Sequence, residues 1–127
     1  MYTSHMPRVS KKNIDKDIQD DLGNHFLFLI SELQSTKDIK MFLNDFLSDE
    51  EKGMLTKRLA LHMMLEMGYK MRDIAIVLGV SRETIRMHTH VWSKGGPEYK
   101  AVIRRIVKSE KTKKFWEKVE NFLKYII

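Results

Sequence analysis

The chain has 127 residues, 43% of them hydrophobic and 31% charged, which suits one globular domain able to bury a core. It contains no cysteine, so disulfide frameworks, thiolate zinc sites and thiol nucleophiles are excluded, and the reducing cytosol is the natural compartment. The net charge of +6 is unevenly spread: nine Lys/Arg face eleven Asp/Glu in residues 1–69, five face three in residues 70–99, and nine face three in residues 100–127. Such a basic second half suits a phosphate-facing side that begins near residue 70, although a solvated, lysine-rich helical surface has the same composition.

Met1 to Asp21 is polar and weakly periodic, which predicts a frayed tail outside the fold. From Leu22 to Gln34, the residues Leu22, Phe26, Leu29, Ile30 and Leu33 recur at three and four, one stripe of a helix. Ser35 and Thr36 offer caps for a second helix with Ile39, Phe42, Leu43, Phe46 and Leu47 on one face. The densest apolar run, FLFLI at Phe26 to Ile30, is far shorter than the roughly 20 residues of a membrane span, and no signal-peptide core precedes it. A soluble, cytoplasmic protein with no membrane partner is expected.

A third helix starts at a capping box, Ser48 with Glu51, and ends near Gly68. Its apolar residues form two sides, Leu55, Leu59, Met63 and Met67 on one, Leu61, Met64 and Leu65 on another. Burial on both sides is expected, in a central core helix or against a second subunit.

The stretch IAIVLGVSRETIR, Ile74 to Arg86, has the parts of a helix-turn-helix: Ala75 as the small residue, Gly79 in the turn, Ile74, Leu78 and Val80 as apolar pegs, Ser81 as N-cap and Ile85 as anchor of the second helix. A simple packing bend is the alternative. With Ile85 inward, Arg82, Glu83, Arg86, Met87 and His90 face away; Arg82 and Arg86 suit bidentate contact with guanine in the major groove of double-stranded DNA. Ser81 lies at the helix start, Thr84 suits a phosphate or a thymine methyl, Glu83 suits cytosine or an arginine, and Arg72, Lys94 and Lys70 flank the unit as phosphate contacts.

Beyond it, SKGGPEYK predicts a loop. A short helix with Val102, Ile103, Ile106 and Val107 follows, and the C-terminal segment, residues 108–127, adds an amphipathic helix suited to docking a partner. That segment supports a second reading, a non-enzymatic protein-interaction module. His88 and His90, two apart on a helix, point in opposing directions and cannot share a metal; His62 is expected to pack within the long helix. No nucleophile elbow or phosphate loop occurs, so neither an enzyme nor a cofactor is expected.

The stretch from LSDEEKGMLTKRLALHMMLEMG through the helix-turn-helix to GGPEYKAVI resembles the tryptophan repressor family. The likeness runs from about Phe26 to Val107, within a domain drawn as residues 22–107. It implies an all-α, tryptophan-repressor-like helical bundle forming an intertwined homodimer that regulates transcription, most simply as a repressor. In that family the corepressor lies between the long helix and the recognition helix, held by an arginine from each. Arg58 matches the first arginine, although an ion pair with the acidic first half would also explain it. Met87 stands where the family has the second, and His88 where it has a glycine. A bulkier His88 should crowd the cleft, which implies a protein that does not respond to tryptophan and leaves any other small-molecule effector open.

Overall fold

The computed structural model describes residues 13–126, in which seven α-helices and one 3-10 turn occur and no strand is formed. Two compact units divide within the third helix, one up to Lys52 and the other from Gly53.

In the first unit, α1 (Lys16–Glu32) begins where the Asp15 carboxylate accepts a hydrogen bond from the Asp17 N–H at 3.1 Å. It therefore starts well before the expected Leu22, and residues 16–21 are helix rather than tail; Met1 to Lys12 lie outside the described residues. The cause is readable in hindsight. Ile18 extends the stripe of Leu22, Phe26 and Ile30 at a spacing of four, and Asp17 suits the positive end of the helix dipole. α2 (Thr36–Phe46) is capped by Ser35 Oγ, which accepts from the Asp38 N–H at 3.1 Å. Phe46 stacks on Phe26 and Phe42, with ring centroids 5.9 and 5.0 Å apart. No residue of α1 or α2 is buried, and Leu27 and Phe28 are 67% and 65% exposed.

α3 (Asp49–Met67) starts at the expected capping box. The Ser48 N–H donates to Glu51 Oε1 at 2.9 Å, and the Glu51 N–H donates to Ser48 Oγ at 3.1 Å. At its other end Gly68 takes φ of 83°, a left-handed conformation that closes two bonds, Gly68 N–H to Leu65 O and Tyr69 N–H to Met64 O. The expected burial on both sides is only partly met within the chain: Leu61 and Met64 of one side are buried, but of the other side only Met63 is, while Leu55, Leu59 and Met67 stay exposed, as does Met54.

The second unit packs one core from five helices. Leu61, Met63 and Met64 come from α3, Ile74 from α4 (Met71–Leu78), Ile85 from α5 (Arg82–Lys94), Ile103 from α6 (Pro97–Lys108), and Trp116, Val119 and Leu123 from α7 (Lys113–Ile126). The expected SKGGPEYK loop shrinks to Gly95 and Gly96, because α5 continues through Lys94 and Pro97 opens α6. Proline breaks a helix interior but suits its first turn, where the missing N–H has no partner to lose. The 3-10 turn Glu110–Thr112 leads into α7, which joins the same core. Trp116 stacks on Tyr69 at 6.0 Å, and the Tyr69 hydroxyl donates to Glu120. An Arg104–Glu66 ion pair at 3.0 Å ties α6 to α3.

Candidate nucleic-acid interface

Two short helices joined by a three-residue turn form the candidate site. Gly79 ends α4 at φ 63°, ψ 40°, with its N–H on Ala75 O at 2.9 Å; a side chain there would meet strain rather than a clash, since the space beside it is open. Ser81 then caps α5, its Oγ accepting the Thr84 N–H at 3.1 Å and donating to Thr84 Oγ1 at 3.0 Å. Ile74 and Ile85 are fully buried between the two helices, and Ala75, Leu78 and Val80 pack against them.

Burial of Ile85 fixes the rotation of α5. Arg82, Glu83 and Arg86 stand exposed on its first turns, with Ser81 at the cap and Thr84 half-buried beside it. Arg86 Nη1 lies 3.3 Å from Glu83 Oε1, so Glu83 takes Arg86 as its partner; a pair this exposed is weak and readily exchanged for another acceptor. Arg82 has no ion pair among the described residues. His90 and Lys94 are exposed two and three turns further along, and Arg72 and Lys70 stand exposed at the start of α4. Helix polarity adds to these charges, since the N-terminus of α5 carries the positive end of its dipole.

The residues matched to a ligand pocket behave differently from one another. Met87 lies open on the outer face of α5, 60% exposed, and closes nothing. His88 turns inward: its Nδ1 lies 3.2 Å from Nε2 of His62, which is 1% exposed. Arg58, exposed on α3, forms no ion pair among the described residues, but its charge reaches both histidines. Burial first, then His88 and Arg58, hold His62 below the usual histidine value; burial first, then Arg58, do the same for His88. His62 thus packs as expected, but across to α5 and α6 rather than within α3 alone. The Tyr99 hydroxyl bonds its Nδ1, and the Trp92 ring lies 5.8 Å from it. Tyr99 and Trp92 carry no motif. The one available signal was spacing: Arg58 and His62 share a face of α3, and His88 and Trp92 a face of α5.

Among the described residues no three histidine or acidic side chains gather as a metal site would require, and no helix is long and apolar enough to cross a membrane. An all-helical chain with a capped, arginine-bearing helix projecting from a left-handed glycine turn belongs to the helix-turn-helix class. Residues 23–107 match the family described as Trp repressor protein, and the chain belongs to that family. The family comprises helix-turn-helix DNA-binding transcription regulators, not enzymes. No curated protein and no solved structure matches the chain.

Proposed function

We propose that the protein is a cytoplasmic homodimeric repressor that reads a specific double-stranded DNA sequence with α5 and does so without tryptophan. The observation that carries this reading is the buried Ile85, which leaves Arg82 and Arg86 exposed together on the first turns of a capped helix. Arg82 and Arg86 read base edges; Ser81 and Thr84 hold the helix start against the backbone; Glu83 orients Arg86; Arg72, His90 and Lys94 contact phosphates. The dimer is supported by the large apolar side chains left exposed on α1, α2 and α3, among them Leu27, Phe28, Phe46, Met54, Leu55 and Leu59, which a second copy could cover. Two copies would present two α5 helices about one DNA turn, or 34–36 Å, apart. Independence from tryptophan is supported by His88, whose ring is engaged with the buried His62, and by Met87, which supplies no guanidinium.

The docking-helix alternative has less to draw on. The stripe Trp116, Val119 and Leu123 of α7 packs in the chain's own core, which leaves only Phe115, Phe122, Tyr125 and Ile126 on the helix for a partner.

Titration of a selected duplex at fixed salt tests the reading. Arg82→Ala and Arg86→Ala each weaken the preferred site by about 1–3 kcal/mol and relax base discrimination, whereas Lys94→Ala weakens all sequences alike. Added salt lowers affinity steeply, and L-tryptophan leaves it unchanged. Binding that both arginine variants keep in full would overturn the base-reading assignment.

A further inference from the structure

One buried side chain joins three helices of the second unit. His62 of α3 has both ring nitrogens engaged, Nδ1 with the Tyr99 hydroxyl of α6 and Nε2 with His88 Nδ1 of α5 at 3.2 Å. Its ring also meets Trp92, one turn beyond His88, and Trp92 lies edge-on to Tyr99 with centroids 5.9 Å apart. The fixed charge that acts on both histidines is positive, and the nearest carboxylate along α3, Glu66 one turn after His62, is taken up by Arg104 of α6. Arg58 stands one turn before His62 on α3, and Lys100 of α6 holds its Nζ 5.7 Å from the Trp92 ring. Neither histidine has a carboxylate partner among the described residues.

We propose that His62 and His88 are positioning residues for the DNA-reading helix: as a neutral pair they clamp α5 to α3 and α6, and protonation of both rings releases it. The proposal rests on the DNA-binding reading above and adds to it a control by protons.

Hydrogen-bond chemistry sets the direction of the effect. In the neutral pair one facing nitrogen donates and the other accepts. Tyr99 O–H to His62 Nδ1, followed by His62 Nε2–H to His88 Nδ1, gives both contacts a donor and an acceptor, whereas the reversed run leaves the Tyr99 O–H without an acceptor in the cluster, so the first run fixes the tautomers of the neutral pair. One proton is absorbed without loss of a bond, because a His62 imidazolium donates at both nitrogens, to Tyr99 Oη and to His88 Nδ1. A second proton breaks the bridge: two N–H groups then face each other across 3.2 Å and both rings are positive. Burial and Arg58 oppose even the first proton in the clamped state. A released α5 exposes both rings, which then titrate near the ordinary histidine value of about 6.5. The released state therefore binds more protons below that pH, and acid drives the equilibrium toward it.

Fluorescence anisotropy of a labelled duplex with the full chain, at fixed salt, reads the clamp between about pH 8 and about pH 5.5. The parent's affinity is expected to be level at the alkaline end and to fall about tenfold at the acid end, with a slope of about one to two protons according to whether the clamped pair holds the first proton. His88→Leu removes the bridge, so its affinity is low throughout and the acid fall is lost. His88→Asn places an amide where Nδ1 stood, rebuilds the bond to His62 without a titrating group, and restores most of the affinity lost in His88→Leu while flattening the acid limb. An unchanged acid fall in His88→Asn, or parental affinity of His88→Leu at pH 8, overturns the proposal. Nitrogen NMR of the histidine rings gives a readout independent of DNA. Fixed tautomers for His62 and His88 at pH 8 that are lost together on acidification support the clamp, and rapidly exchanging tautomers at pH 8 refute it. A parent that binds no duplex at any pH, with the two tautomers fixed, would remove the DNA reading and leave the clamp standing.

Discussion

Replacement of Leu123 by alanine tests whether α7 is part of the helix-turn-helix support or an appendage. Leu123 is 6% exposed in the core where α7 meets α4. Buried leucine-to-alanine changes cost about 2–5 kcal/mol, the sum of a lost transfer term and a residual cavity. This site lies toward the lower half of that range, because Leu123 also borders an open groove with Tyr69, Asp73, Glu120 and Lys124, through which water reaches the vacated volume. A loss of about 2–3 kcal/mol is expected, a large share of the usual total for a small domain. Phe122, the adjacent residue, is 44% exposed, and its replacement by alanine should cost less than about 1 kcal/mol. Urea unfolding at fixed protein concentration, followed through the two tryptophans, measures both variants. The midpoint of Leu123→Ala should fall with little change in slope. Equal losses for the two variants would mean that α7 packs through another face, and the core assigned to Trp116, Val119 and Leu123 would be wrong.

Ser81→Ala should destabilise the protein by about 1 kcal/mol through loss of the cap, whereas Ser81→Asp keeps the cap and the stability but loses DNA affinity, its charge now facing phosphate; thermal melts beside anisotropy separate the two effects. Gly79→Ala should cost about 1–2 kcal/mol from left-handed strain alone, with no steric term because the space is open, and a melt unchanged from the parent would contradict that geometry. Light scattering at micromolar concentration should give twice the 15.1 kDa chain mass, and a folded monomer would contradict the dimer.

The features legible in the sequence are those decided within a few residues. Ser35, Ser48 with Glu51, Gly68, Gly79 and Ser81 each act on a neighbour no more than four positions away, and all cap or turn the chain where their chemistry requires. The inward turn of Ile85 followed from periodicity, and with it the exposed set on α5. Early entry into α1 is hidden by a polar composition that Asp15 and Ile18 outweigh, and SKGGPEYK predicts a loop although Pro97, at a first turn, starts a helix. Contacts between distant residues left no periodic trace. His62 meets His88 26 positions away and Tyr99 37 away, and Tyr69 meets Glu120 51 away. For the same reason α7 read as a free amphipathic helix, since its stripe does not say which helix covers it.

The proposed His62 clamp, if it holds, would also account for a protein of this family that works without a bound ligand. A corepressor held between a long helix and a recognition helix fixes their relation only while it is bound, and binding must offset about 4–15 kcal/mol of lost translational and rotational freedom. Side chains already tethered to the two helices carry no such cost. His62, His88 and Tyr99 hold α5 at any metabolite concentration, through bonds that a ligand entering the same space would have to break. Each buried polar group left unpaired by that entry costs about 1–3 kcal/mol. An amino acid would therefore have to supply both the association term and the lost bonds, using Arg58 alone for its carboxylate and no guanidinium at Met87 for its ring. Protons face no such barrier, since they need no cavity and act on the bridge itself. Under the proposed clamp, control by acidity in place of control by ligand is the outcome that Met87 and His88, where the resemblance implies an arginine and a glycine, would favour.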